Sequence, residues 1–413
     1  MPGAGTFGSE LRRRRVAAGV SLAQLAKLLH YSKGYLSKIE TGGRQPAARL
    51  ARQADAVLDA GGALAALVSA ADEGGLPAPR ETSHLLDRQA LMTFGSALLL
   101  PLEVRPADAE AAAEDAETER YFREQFDRCR ALGQHSPPGL VLRQLVMELH
   151  TLQELVEAAR EPRVRARLSL LAARYAEYAG WMAQESARAD AALAWTRKSA
   201  QIAATAGNPA LSAYALVREA ELAMYAHDPL TTVALARRAA DEAHADARIR
   251  GLAGHREAQG HALMGDYGAC RAALDRATAL LTQQADSGPG GPVLGSSTVA
   301  DLDLAVSGWC YYDLGRPGEA AGALERVLAV TPATARRARA LYGARLALAY
   351  EAMGELDRMC EVAQEVLARG QALGSATVRG ELRDLSRNML RRHGHRPALE
   401  LHAELNAALQ LHR

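Results

Sequence analysis

The sequence predicts an all-α protein: a five-helix head followed by an α-solenoid of helical hairpins. Three observations predict it. Residues 21–46, SLAQLAKLLHYSKGYLSKIETGGRQP, hold two short helices, each with its own start signal, on either side of a tight turn. From Ala107 onward no segment alternates as a strand does, and helix follows helix with brief Gly, Pro or Asp breaks. Those breaks recur about every 40 residues, and self-similarity at a period of this length marks a repeat architecture.

The head begins with a basic helix over Leu11 to Ala18, ended by Gly19. Ser21 and Gln24 form an S-x-x-Q capping box that starts the second helix, to which Leu25, Ala26 and Leu29 give an inner face. His30 and Tyr31 turn the chain, and Ser32 caps a third helix whose apolar residues Leu36 and Ile39 are three apart. At about 100° per residue, Gly34, Ser37, Lys38 and Thr41 point away from Leu36 and Ile39, with Lys33 and Tyr35 on the flanks near the helix start. This is a helix-turn-helix, and a small, polar, basic outer face suits a major groove. Helices over Ala47 to Leu58 and Ala63 to Val68 complete the five.

From about Phe7 to Val68 the chain resembles the XRE family of phage-repressor-like DNA-binding domains, with the LSKIETG run the strongest local match. The resemblance implies that Lys33, Gly34, Tyr35, Ser37 and Lys38 face base edges, and that Ser21, Thr41, Gly42 and Arg44 approach phosphates; Ser32, at the helix start, joins the same DNA-binding set. It also implies that Glu40 pairs with Arg15 of the first helix. Arg12 to Arg14 read equally as phosphate contacts or as a solvated face, and the bland alternative for Lys33 and Lys38 is two exposed lysines on a short helix. One position departs from the family: many members carry Gln where this chain has Leu22, so no phosphate contact comes from that side chain.

Charge agrees with a polyanionic partner for the head. Residues 1–70 hold ten Lys and Arg against four acids, a net +6, whereas the whole chain is +1 and the remainder is therefore about −5. Three of the four lysines, Lys27, Lys33 and Lys38, lie in the helix-turn-helix, against 45 arginines overall. An Arg- and Ala-heavy composition points to a GC-rich bacterial genome, and the family resemblance is to regulators of actinobacterial type.

Several functional classes are excluded by what the sequence lacks. The four cysteines, Cys129, Cys270, Cys310 and Cys360, are far apart and form no C-x-x-C, so neither a disulfide framework nor a zinc site is expected. Gly288 to Pro292, GPGGP, lacks the Lys-Ser/Thr of a phosphate-binding loop, and its prolines donate no backbone N–H. His393 and His395 have no third ligand at a recognisable spacing, and neither a G-x-S-x-G elbow nor an H-E-x-x-H helix occurs. The expectation is a protein with no catalytic site, metal or cofactor. The apolar run near Leu100 is too short to span a bilayer and residues 1–15 contain no signal-peptide core, so a cytoplasmic location is expected.

The domains are expected at 1–70 (head), 71–106 (a Gly/Pro linker over Asp72 to Ser83, then an apolar docking helix over Leu85 to Leu100) and 107–413 (repeats). A helix over Ala107 to Leu132 and another over Leu140 to Ala159, parted by Pro137-Pro138, lead into the array. Its breaks are Ala187-Arg188, His227-Asp228, Gly265-Asp266, Gly315-Arg316 and Gly354-Glu355, spaced 40, 38, 50 and 39 residues, the long interval containing a Gly/Pro-rich insertion over Ser287 to Ser296. The clearest unit, SGWCYYDLGRPGEAAGALERVLAVTP, resembles a tetratricopeptide repeat through Gly308, Tyr311, Ala320 and Pro332; Thr232, Cys270 and Met359 stand where Ala320 does.

An array of this kind presents an inner groove lined by the first helix of each pair. The inward positions are Arg174, Glu177, Trp181 and Gln184; Arg218, Glu221 and Tyr225; His255, Arg256 and Gln259; Trp309 and Tyr312; and Arg345 and Glu351. Together they form a stripe able to bind an effector, although each taken singly reads as helix surface or packing. The whole resembles the peptide-responsive helix-turn-helix/tetratricopeptide regulators of Gram-positive bacteria. That resemblance implies a transcriptional regulator that binds double-stranded DNA as a homodimer and takes a peptide or small-molecule effector, or a protein partner, in the repeat groove. The competing reading is a repeat-based adaptor or assembly factor with a head that reads no DNA.

Overall fold

The computed structural model describes residues 7–28, 33–40, 48–58, 60, 63–64, 67, 106–286, 294–295, 299, 301–390 and 395–410. Among these every regular element is a helix. The chain divides into two compact units, Met1–Leu102 and Glu103–Arg413. Ser32, Thr41, Gly42, Arg44, the expected linker and the docking helix lie outside the described residues, as do most of the fifth head helix and most of the Ser287 to Ser296 insertion.

In the first unit, α1 spans Phe7–Ala17, α2 Leu22–Leu28, α3 Lys33–Glu40 and α4 Ala48–Val57. The first helix starts one turn before the expected Leu11 because Phe7 and Leu11 share a face and both are buried with Leu25, Leu36, Ile39, Leu50 and Leu64. The capping box forms as expected: Gln24 N donates to Ser21 Oγ at 3.2 Å, and Ser21 N donates to Gln24 Oε1 at 2.8 Å. Asp55, itself buried, accepts from Leu64 N at 3.1 Å and so holds the chain that follows α4.

The second unit opens with α5 (Pro106–Glu114), α6 (Ala116–Gly133) and α7 (Pro138–Ala158). The single helix expected over Ala107 to Leu132 is in fact two. Asp115 ends the first and caps the second, its carboxylate accepting from Glu117 N at 3.0 Å. An Asp side chain competes with the helix ladder for neighbouring N–H groups, and here it prevails although the flanking residues are good helix formers.

Six hairpins follow: α8 (Pro162–Glu185) with α9 (Ala189–Thr205), α10 (Pro209–Tyr225) with α11 (Pro229–Asp241), and α12 (Ala247–Leu263) with α13 (Tyr267–Asp286). The others are α14 (Leu302–Asp313) with α15 (Pro317–Val330), α16 (Arg336–Met353) with α17 (Leu356–Gly370), and α18 (Ala376–Met389) with α19 (Arg396–Gln410). All five expected breaks are hairpin turns with one geometry. Ala187, His227, Gly265, Gly315 and Gly354 take φ of 60°, 53°, 76°, 73° and 80°, and the amide after each donates to the carbonyl five residues earlier, as Glu355 N does to Tyr350 O at 2.9 Å.

The register also holds in space. Ala192, Thr232, Cys270, Ala320 and Met359, each five residues past its break, are at most 1% exposed. They pack where helices approach closely, and glycines on the first helices permit it: a Cβ at Gly308 would lie 2.9 Å from Leu324 Cγ, and one at Gly260 2.6 Å from Val233 Cγ2.

Candidate nucleic-acid interface

α3 is positioned from behind. Leu36 and Ile39 are wholly buried against α1, α2 and α4, so the opposite side of α3 carries Gly34, Ser37 and Lys38. Lys33, Gly34, Tyr35 and Lys38 are placed on α3 by their backbone; their side chains lie outside the described residues, while Ser37 is half-buried. Ser21 is exposed at the start of α2.

The expected ion pair is present. Arg15 donates through Nε to Glu40 Oε1 at 2.6 Å and through Nη2 to Glu40 Oε2 at 3.0 Å, and through Nη1 to Val20 O at 3.0 Å. One guanidinium thus fixes the end of α1, the turn after it and the last residue of α3. Arg13 and Arg14 instead converge on Glu10, at 2.5 and 2.8 Å, and hold its carboxyl at about 2. Arg14 also donates to Ala60 O at 3.1 Å. Of the four consecutive arginines, three therefore have partners within the head, and Arg12 is exposed.

The proposed effector stripe falls inside the second unit, and most of it is buried. On α8, α10 and α12, Arg218 is 1% exposed, donates to Gln184 Oε1 at 2.8 Å, pairs with Glu221 and lies 5.0 Å from the Trp181 ring centre. Arg256 donates to Gln259 Oε1 at 2.6 Å and stands 3.7 Å from Glu221. Burial works to raise the Glu221 carboxyl, but Arg218 and Arg256 outweigh it and hold it below its ordinary range.

A second group joins α10, α14 and α16. Arg345 stacks 3.5 Å above the Trp309 ring and 5.4 Å from that of Tyr312, and Tyr225 meets Trp309 edge to face at 5.8 Å. His255 is fully buried, its Nε2 2.5 Å from Asp303, and burial lowers its pKa against the opposing pull of that carboxylate. Arg174 lies 5.7 Å from the Phe126 ring; Glu177 is half-buried on α8 and Glu351 buried on α16.

Two acids that bind Arg345 escaped sequence reading. Asp313 accepts from Arg345 Nη1 at 3.1 Å, and Glu381 stands 3.5 Å from Arg345 Nε. Asp313 lies four residues after Trp309 and hence on its face, a signal that was present. Glu381 belongs to the sixth hairpin, beyond the last break the sequence made visible.

Among the described residues no group of three or more His, Cys, Asp or Glu is placed to hold a metal ion, and no helix is long and apolar enough to cross a membrane. A family model described as a helix-turn-helix domain matches residues 6–68. None of the curated proteins compared with the chain matches it.

Proposed function

We propose that this chain is a transcriptional regulator of the phage-repressor-like class that reads operator DNA through α3. It acts as a homodimer, and its tetratricopeptide-like array senses an effector. The observation that carries the reading is the head itself: residues 6–68 match a helix-turn-helix domain, and Leu36 and Ile39 with the Arg15–Glu40 pair brace α3 from behind. In this reading Lys33, Tyr35, Ser37 and Lys38 meet base edges, Ser21 and Arg44 meet phosphates, and no step requires catalysis. The array supplies the dimer contact and the sensing stripe, from Arg174 and Trp181 to Arg345. The proposed domains are 1–70, 71–106 and 107–413. That Arg218, Glu221, Gln184 and Arg256 bind one another favours a second reading, in which the array recruits a protein partner through its outer face.

Selection of the full chain against random duplexes, followed by anisotropy titration over a range of salt, tests the primary reading. A dimer should enrich paired half-sites about 10 bp apart or a multiple of it. Lys38→Ala should lose about 1–3 kcal/mol on the enriched site alone, whereas Arg44→Ala should weaken every sequence and lower the salt slope by about one. Absence of any enriched motif would leave the adaptor reading in its place.

A further inference from the structure

One link between hairpins is far longer than the rest. Residues 206–208, 242–246, 331–335 and 371–375 join the other hairpins, whereas the whole of 287–301 lies between α13 and α14. Its residues 287–300, SGPGGPVLGSSTVA, include no charged side chain. Where the structure describes this link, at Leu294, Gly295 and Val299, it lies against the first helices of neighbouring hairpins. Arg248 on α12 donates through Nε to Leu294 O at 2.8 Å, and the Leu294 side chain packs on the cluster that contains Tyr214 and Leu252. Gly295 takes φ of 78°, and a Cβ there would stand 3.1 Å from Leu252 Cδ1 and 3.8 Å from the Tyr214 hydroxyl. Val299 is buried in the cluster that holds Met224 and Trp309.

The helix residues beneath the link share a face with the sensing stripe. Tyr214 precedes Arg218 by four residues, Leu252 precedes Arg256 by four and Arg248 precedes His255 by seven, separations that stack side chains on one side of a helix. The link therefore covers the stripe one turn from Arg218 and Arg256. Its far end is tied to the same face, because Asp303, just beyond it, stands 2.5 Å from His255 Nε2. Burial lowers the pKa of Arg248, and the partner that answers this guanidinium is a main-chain carbonyl and not a carboxylate. A main-chain hydrogen bond and aliphatic side chains are also how a groove holds a bound peptide.

We propose that the link bearing Leu294 and Val299 is a built-in, displaceable occupant of the sensing face, and that the strip beneath it, Tyr214, Arg248 and Leu252, accepts a short, uncharged, aliphatic peptide in its place. The proposal rests on the reading of the array as a sensor, whose effector must then outcompete the chain's own segment. A tethered occupant acts at an effective concentration of about millimolar. If the bare strip binds a free peptide at about 0.1 mM, the link occupies it about ten times out of eleven and lowers the peptide's apparent affinity about tenfold. Displacement is feasible because the described part of the link adds one hydrogen bond and few apolar contacts, whereas the helices below it are packed on several sides.

The test uses the full chain without DNA, and its probe is an acetylated, amidated peptide of residues 291–300, GPVLGSSTVA, titrated by calorimetry. In one variant a four-residue Gly/Ser link replaces 287–300, which restores the length found after α11 and α15. It should bind the peptide at least about tenfold more tightly than the unaltered chain does, and a peptide with Asp in place of its Leu should not bind. Arg248→Met in the shortened chain should weaken the peptide about tenfold, through loss of the charged donor. A second variant, Gly295→Val, leaves the strip intact but sets a β-branched side chain at positive φ against Leu252, so it too should bind the peptide more tightly than the unaltered chain. Equal affinity in the unaltered and shortened chains, no binding to a shortened chain that keeps its helical circular dichroism, or binding indifferent to Arg248→Met would overturn the proposal. Should the shortened chain fail to fold, Gly295→Val decides alone, and unchanged affinity there would overturn it equally. Operator binding with and without the peptide is a separate measurement: peptide binding that leaves DNA affinity unchanged would count against the sensor reading while the built-in occupant stands.

Discussion

Arg15 and Glu40 are 25 residues apart in sequence and 2.6 Å apart in space, with side chains only 12% and 6% exposed. Removing one partner of such a pair leaves the other charge buried and unanswered, at a cost of about 3 kcal/mol. Arg15→Ala should therefore loosen the head, and hydrogen exchange should quicken in peptides from 7–17 and 33–40 while α8 to α19 keep their protection. Unchanged exchange in α3 would show that the pair does not brace it. This contact was legible because family resemblance and helical projection agreed on it. Glu381 was not legible, since nothing near it in sequence marks an inward face. Burial pushes its carboxyl up to about 7 although Arg345 opposes the change. An acid whose pKa is raised by folding stabilises most below its unfolded value, and that contribution is lost as pH rises through the folded one. Between about pH 4.5 and 7 the array should thus lose up to about 3 kcal/mol on this account, and Glu381→Gln should be spared the loss. Urea titrations of both proteins at pH 5 and pH 8 give the comparison; parallel pH dependence would remove Glu381 from consideration.

At the scale of the element, the hairpin turn is the unit that the sequence spelled out. Its five breaks were visible as punctuation, yet only three carry the Gly that a left-handed turn favours; Ala187 and His227 adopt φ of 60° and 53° with a side chain in place. A non-glycine residue in this region costs about 1–2 kcal/mol. Ala187→Gly should accordingly stabilise the array by about 1 kcal/mol, even though it removes a methyl group and adds freedom to the unfolded chain. The glycines within helices divide the other way. Gly260 faces the stiff Val233 and the Pro229 carbonyl, whereas around Gly322 a Cβ would meet nothing within 4 Å. Gly260→Ala should destabilise by about 1–3 kcal/mol through overpacking, and Gly322→Ala should stabilise by up to about 1 through helix propensity. Shifts of the same sign in thermal melts of the two variants would contradict this assignment of close approach. The helix break at Asp115 was missed for a local reason: periodicity and composition ran straight through it, and only the side-chain cap interrupts the ladder.

At the scale of the whole second unit, closure depends on a contact no sequence pattern announces. Arg337, on α16, donates to the Gly133 carbonyl, to Ser136 O at 2.6 Å, to Leu373 O at 3.2 Å and to Glu185 Oε2 at 3.0 Å. These partners belong to the end of α6, the link before α7, the link before α18 and the end of α8, so one guanidinium joins the fifth hairpin to the first helices of the unit. Glu185 is 3% exposed and its other oxygen accepts from Thr377 Oγ1 at 2.7 Å, which brings the sixth hairpin to the same point. Periodicity reports neighbours a few residues or one repeat apart; a pairing across 152 residues leaves no such trace. Because the guanidinium is planar and forked, it serves two acceptor directions that a lysine cannot serve together. Arg337→Ala should cost the unit about 3–5 kcal/mol, since it strands Glu185 and three carbonyls away from water, and Arg337→Lys should recover only part of this. Urea unfolding followed by tryptophan fluorescence measures the loss. Hydrogen exchange then locates it: protection should fall at 133–138, 185 and 371–377 together, because those segments have lost the same donor. If stability drops by less than about 1 kcal/mol, or exchange quickens only around residue 337, Arg337 is a local contact and the closure is held by the apolar packing of α16 against α18 instead.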